Sequence, residues 1–286
     1  MPVRNMELGD VGLAIELINK EGWGHTRIDI ERILTLSPES NLIWESDGVA
    51  RGFVTSLVYE SSAMVGHVLV SKESRGNQIG KGLIKSLLDR LDSEGTKSVI
   101  LYATEEGARL YHGFGFKETN DMLSVGLWIR ESVRKTLEQE CATVQDADLD
   151  ELVDMDAKTY GDRRSDLMRR LYRDFPEHCF KLERSGKTIG FVYGRRTPIG
   201  FDIGPWICMS GAEKDATSLL SSVIRSFPAG GRVDLSPFRD HSLAGKILSE
   251  FRQYKTPERV KLMVRGEPLY RHDRDKVFGA AGFELG

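Results

Sequence analysis

Residues 64–88 read MVGHVLVSKESRGNQIGKGLIKSLL. The run Val65–Val70 is apolar and rich in branched side chains, as a buried strand requires. A polar loop follows, with Gly76, Gly80 and Gly82 gathered around Arg75. Ile79, Leu83, Leu87 and Leu91 then recur every four residues, the stripe of an amphipathic helix. A strand feeding a glycine-rich loop that opens a helix is a device for holding phosphate. The backbone approaches closely, N–H groups point at the anion, and the helix N-terminus adds partial positive charge. The spacing excludes an ATP-type P-loop: three residues rather than four separate Gly76 from Gly80, and Gly82 stands where Ser or Thr would follow Lys81. The dinucleotide fingerprint fails too, because Gly76-Asn77-Gln78 breaks its first half. A strand–turn–helix connection with no ligand is the competing reading.

A second motif follows about 30 residues on. Ser98–Tyr102 is a short β-prone run, and it leads into TEEGARLYHGFGF at 104–116. In this order the two motifs resemble the GCN5-related N-acetyltransferase (GNAT) superfamily. Its pyrophosphate motif is Arg or Gln, two residues, Gly, any residue, then Gly or Ala. Arg75, Gly76, Asn77, Gln78, Ile79 and Gly80 fit it except that Gln78 stands where the first glycine is usual. With ordinary dihedrals Gln78 would still donate its N–H. The family closes its fold with a strand, a short helix ending in Leu-Tyr, then Gly-Phe and a final strand; Leu110-Tyr111 and Gly115-Phe116 match.

The resemblance implies acetyl-CoA as cofactor, with its pyrophosphate on the backbone of Arg75 to Lys81. It implies a pantetheine arm lying like an added strand along Val68, Leu69 and Val70, and an N–H near Leu69 or Val70 on the thioester carbonyl. Tyr111 would give a proton to the departing thiolate. Thr104 would bond the arm or cap the next helix. The acceptor would be a primary amine of a small molecule or peptide, attacking directly in a ternary complex. The base that frees the amine stays open among His67, Glu60, Glu105 and a water chain. A packed strand histidine is the plain reading of His67, and a buried tyrosine of a short helix that of Tyr111. A non-catalytic acyl-CoA sensor and a protein-binding adaptor are the alternative functions.

Composition narrows the class. Of 286 residues, 40% are hydrophobic and 29% charged, an ordinary core-forming chain. A net charge of −3 lacks the basic footprint of nucleic-acid binding. No apolar run approaches the roughly 18 residues of a membrane span, and MPVRNMELGD lacks the apolar centre of a signal peptide. Three unclustered cysteines, Cys141, Cys179 and Cys208, suit free thiols in a reducing cytoplasm. Neither they nor the six histidines have metal-site spacing.

The chain also repeats itself. ESDGVARGFV at 45–54 and ERSGKTIGFV at 183–192 share Glu, two polar residues, Gly, three residues and Gly-Phe-Val at an offset of 138. The same offset places Val65-Gly66 on Ile203-Gly204, Leu69 on Ile207, and Asp10, read as a helix N-cap, on Asp148. Duplication of an α/β (α+β) fold follows: two tandem GNAT-like domains, 1–135 and 140–286, each a mixed, mostly antiparallel sheet flanked by helices. The charged stretch Arg130–Glu140 joins them. In the second copy Arg75 falls on Glu213, Gly76 on Lys214 and Gly80 on Ser218, and acidic groups there oppose an anion. Ile247–Phe251 offers no counterpart to Tyr111. That copy is expected to be degenerate, completing the substrate cleft or pairing with the first domain, and pairing within one chain favours a monomer. Asp156, Tyr160–Arg163, Gly204-Pro205-Trp206, Met263–Gly266 and Phe283–Gly286 resemble the YitH type of two-domain acetyltransferase. Taken alone, Asp162 and Arg163 read as a cap with a surface ion pair, and Trp206 as core.

Overall fold

The computed structural model describes residues 2–129, 141–268 and 273–286; the stretch Arg130–Glu140 lies outside them. In chain order the first half runs β1 (Val3–Asn5), α1 (Val11–Lys20), α2 (Arg27–Leu36), β2 (Leu42–Ser46), β3 (Val49–Val58), β4 (Ser62–Val70), α3 (Ile79–Ser93), β5 (Ser98–Ala103), α4 (Glu105–His112) and β6 (Lys117–Trp128). The second half repeats that order as β7 (Ala142–Thr143), α5 (Leu149–Tyr160), α6 (Ser165–Asp174), β8 (Cys179–Arg184), β9 (Lys187–Thr197), β10 (Gly200–Cys208), α7 (Glu213–Ser226), β11 (Arg232–Leu235), α8 (Ser242–Ser249) and β12 (Glu258–Gly266). A short β13 (Val277–Gly279) follows.

Local chemistry explains the elements. The stripe of α3 buries Ile79, Leu83, Ile84, Leu87, Leu88 and Leu91. Each such leucine contributes about 1.5–3 kcal/mol on burial. Thr26 starts α2 with a capping box: its Oγ1 accepts the Asp29 N–H at 3.3 Å and its own N–H donates to Asp29 Oδ2 at 2.8 Å. The matched hairpins turn at Asp47-Gly48 and Ser185-Gly186, all four residues at positive φ. Asp10 and Asp148 are equivalent, but not as caps. Their carboxylates instead accept from the N–H of Glu7 and Gln145, both at 2.8 Å, which closes the turn before the helix.

The strands form one 13-stranded sheet in the order β1-β2-β3-β4-β5-β12-β6-β11-β10-β9-β8-β7, with β13 against β10. The sheet is mixed and mostly antiparallel, flanked by helices, as expected. Its centre is not. The resemblance implies that each half closes on its own final strand, yet β12 pairs with β5 and β6 with β11. β6 is long enough to serve both neighbours, β12 through Lys117–Ser124 and β11 through Val125–Trp128. One core also spans the halves, packing Ile33 and Leu57 with Leu152, Leu167 and Tyr193.

Asp162 adds a polar clamp. It is buried, and its carboxylate accepts from the N–H and Oγ of both Ser61 and Ser62 at the β3–β4 turn, at 2.7–3.1 Å. The surface-pair reading therefore holds only for Arg163, which meets Asp154 at 2.6 Å. Trp206 is fully buried beside Phe278, as a core residue.

Candidate active site

β4 runs parallel to β5 from Ser62↔Ser98 to Val65↔Leu101, and there the pairing stops. On its other side the β3–β4 register shifts between Val54 and Ser56. The bulge turns β4 away from β5, and a slot opens along Gly66–Val70. The Ser71 N–H donates to Arg51 O at 2.8 Å. Antiparallel alternation then aims the N–H of Leu69 at β3 and those of Val68 and Val70 into the slot. Of Leu69 and Val70, the two N–H groups expected near the carbonyl, only that of Val70 faces the opening.

The slot leads to the glycine loop. Gln78 does not have ordinary dihedrals: it sits at φ 60°, ψ 11°, in the left-handed region that a glycine adopts without strain. Holding that geometry keeps the loop's course despite the substitution. Among the described residues no acceptor pairs with the N–H groups of Gly76, Asn77, Gln78, Ile79, Gly80 or Lys81. Gly76, Gln78, Ile79, Gly80 and Lys81 border a depression of about 280 Å³ together with Val70, Arg75 and Leu110.

The three glycines have different causes. Gly76 has φ +84°. A Cβ at Gly82 would lie 2.3 Å from Trp44 Cζ3, so Gly82 serves packing. A Cβ at Gly80 would meet nothing closer than Val70 Cγ2 at 3.7 Å, so the fold itself does not require Gly80. Arg75 pairs with Glu21 at 2.5 Å and donates through Nε to Val70 O at 3.2 Å.

Tyr111 is buried in the cluster of Ile79, Leu83 and Phe116. Burial pushes its phenol up to about 12. Thr104 caps α4, its Oγ1 accepting the Gly107 N–H at 3.1 Å. Of the possible bases, Glu60 lies before the start of β4, at the end opposite the slot, and lines a separate cavity of about 310 Å³ with Arg163. Glu105 is exposed and pairs with Lys261 at 2.9 Å. His67 is buried beside the slot, with Nδ1 2.9 Å from Thr55 Oγ1. Burial, with His25 adding to it, holds its imidazole well below the usual histidine range, so it is neutral.

Sequence reasoning did not single out Glu284 or Arg195. The segment after β13 brings Glu284 against Gly66, where a Cβ would come within 3.0 Å of Glu284 Cβ. Arg195 holds it, Nη2 to Oε1 at 2.9 Å. The signal available was the terminal Phe283–Gly286 motif, which carried no partner with it.

The second half has the same opening but fills it. β10 pairs in parallel with β11 only as far as Ile203↔Leu235, the position equivalent to Val65. Past that point β13 lies against Trp206 and Ile207. The loop before α7 is satisfied internally: Ser210 Oγ donates to Asp215 Oδ2 at 2.7 Å and accepts the Ala212 N–H at 3.2 Å.

The acetyltransferase (GNAT) domain pattern matches twice, at residues 20–128 and 152–279. The chain is 27% identical over 146 residues to the uncharacterized N-acetyltransferase YitH of Bacillus subtilis, an alignment covering 51% of each chain. It thus spans about half the length of that relative. A Pyrococcus horikoshii protein assigned as an acetyltransferase superposes with a TM-score of 0.81 at 19% identity, over 99% of this chain and 95% of that one. A GCN5-related N-acetyltransferase of Sphaerobacter thermophilus gives 0.66 at 17%, over 92% and 95%. At such identities these two likenesses speak for the fold, while the paired domain matches speak for descent: the chain belongs to the GNAT acetyltransferases, as a tandem of two such domains.

Proposed function

We infer that the protein transfers an acetyl group from acetyl-CoA to a primary amine of a small molecule or peptide, by direct attack in a ternary complex. The supporting observation is the run of six N–H groups from Gly76 to Lys81, without an acceptor among the described residues, that leads into the slot at Val68 and Val70. Such a run fits a diphosphate, and Gly80, which no contact within the fold requires, fits its close approach. Acetyl-CoA supplies the activated acyl group as a thioester.

Main-chain amides of Gly76–Lys81 hold the diphosphate, and Val68 and Val70 offer N–H groups to the arm and the thioester carbonyl. Thr104 borders the arm with its backbone while its hydroxyl caps α4. Tyr111, near 12, stays protonated throughout the physiological range. A free thiol titrates near 8.5, so full proton transfer from Tyr111 to a thiolate is uphill by about 5 kcal/mol. Its service is a hydrogen bond to the leaving sulfur. Residues 1–135 carry this site, and the domain at 140–286 closes the cleft. Gln78 keeps the loop geometry, so its departure from glycine does not by itself favour a non-catalytic sensor.

The exchanged strands supply within one chain the pairing of two domains, which favours a monomer. No helix among the described residues is long and apolar enough to cross a membrane, and three free buried cysteines fit a cytoplasmic setting. Calorimetric titration with CoA and an amine screen for thiol release test the reading. Binding and amine-dependent release are expected; no binding at saturating CoA overturns it.

A further inference from the structure

On the face opposite α3, the slot meets the α1–α2 loop, the β9–β10 turn and the segment Ala280–Gly286. Both halves build this rim. Trp23 and Ile199 are exposed there, and the Cβ direction of Gly24 lies 3.1 Å from Ile199 Cγ1. Phe283 stacks edge-on against Tyr102 at 5.2 Å.

Beneath the rim the charges do not cancel. Buried Arg195 donates through Nη2 to Asp202 at 2.8 Å and to Glu284 at 2.9 Å. Arg32 joins Asp29 at 2.9 Å and Asp174 at 2.7 Å, and Arg170 meets Asp174 at 2.8 Å. Three guanidinium groups thus face four carboxylates, leaving one negative charge in excess in a setting that disfavours it. His25 Nδ1 stands 4.0 Å from Glu284 Oε1.

A second observation is independent of the acids. His67 Nε2 is buried and has no hydrogen-bond partner among the described residues. Nδ1 is fixed on Thr55, so the far edge of the ring faces the loop of Trp23 and His25, with ring centroids at 6.2 and 4.7 Å. An amine serves that edge in either tautomer, donating as an ammonium and accepting as a free base.

We propose, building on the acetyltransferase function, that the acceptor is a primary ammonium on an apolar body. Its nitrogen sits between Glu284 and the free edge of His67, and its body rests on Trp23 and Ile199. Of the ammonium's three protons, one passes to the Glu284 carboxylate, one stays on the amide and one ends on the CoA thiol, as the N–C bond forms and the C–S bond breaks. Glu284 then returns its proton to solvent.

The test titrates the CoA-loaded protein with 2-phenylethylamine, spermine and taurine by calorimetry. With one excess carboxylate and an apolar rim, 2-phenylethylamine should bind at least tenfold tighter than spermine, and taurine should not bind. Glu284→Gln should weaken 2-phenylethylamine at least tenfold. Trp23→Ala, at an exposed side chain, should weaken it several-fold and leave spermine unchanged. The Kd for CoA should stay at the wild-type value in both variants. The proposal is overturned if no amine binds the CoA-loaded wild type, if spermine or taurine binds better than 2-phenylethylamine, or if both variants bind it as the wild type does. Failure of the wild type to bind CoA at all defeats the acetyltransferase reading itself, and so is told apart from these results.

Discussion

Replacing Gly80 by Ala adds a methyl group that the protein has room for, since its nearest neighbour would be Val70 Cγ2 at 3.7 Å. The position lies in the first turn of α3, where Ala is preferred to Gly by up to about 1 kcal/mol. The unliganded variant should therefore be as stable as the wild type or more so. Gly80 also lines the depression beside Val70 and Lys81, and the methyl takes space that a diphosphate needs. A tenfold loss of CoA affinity, about 1.4 kcal/mol, is the expected minimum. Gly82→Ala makes the contrast. Its methyl would lie 2.3 Å from Trp44 Cζ3, and overpacking of about 1–3 kcal/mol outweighs the gain in helix propensity.

Urea denaturation with and without CoA reads both effects. At a ligand concentration 100 times the wild-type Kd, CoA should stabilise the wild type by about 2.7 kcal/mol and Gly80→Ala by no more than about 1.4 kcal/mol. Gly82→Ala should lose stability without ligand yet keep the ligand-induced gain. If Gly80→Ala retained the full gain, the loop of Gly76–Lys81 would not be the diphosphate site.

Four further outcomes follow from the geometry. Tyr111→Phe should bind CoA normally and slow acetyl transfer by about 10² or more, and an unchanged turnover would remove Tyr111 from the chemistry. A phenol near 12 in the fold and about 10 in the unfolded chain leaves stability untouched below pH 10 and erodes it as pH rises from about 10 toward 12, where the unfolded chain loses its proton first; alkaline denaturation should show the erosion in the wild type and less of it in the phenylalanine variant. Asp162→Ala leaves the Ser61 and Ser62 N–H groups without their acceptor and should cost about 2–4 kcal/mol in chemical denaturation, so a loss below about 0.5 kcal/mol would deny the clamp. Residues 1–135 produced alone leave β5 without β12 and should associate through exchanged β6 strands, so sedimentation of a stable monomer would contradict the sheet order.

Most elements were legible because their signals are local. The stripe Ile79–Leu91 gives α3 its observed start, Ile79. The shared Gly-Phe-Val hairpins locate β2–β3 and β8–β9. What escaped was pairing over long separations. The pattern of β6 is the same whichever sheet receives it, so nothing in Lys117–Trp128 announces that β11 is its neighbour. β13 is three residues long, too short for alternation to register, yet it fills the second opening. Asp162 read as a surface group because its partners, Ser61 and Ser62, stand some hundred positions earlier. Glu284 reaches Gly66 across the whole chain. The depression at the glycine loop is lined largely by one contiguous motif that the sequence displays, whereas Glu284 comes up to Gly66 only through the tertiary fold.

The exchange of β6 and β12 bears on why a copy with a blocked opening persists. A gene that shed it would strip β5 of its neighbour and leave bare backbone edges at the heart of the surviving half, open to self-association. The second copy is therefore held to the first by the nine residues of β12 it lends, whatever becomes of its own opening.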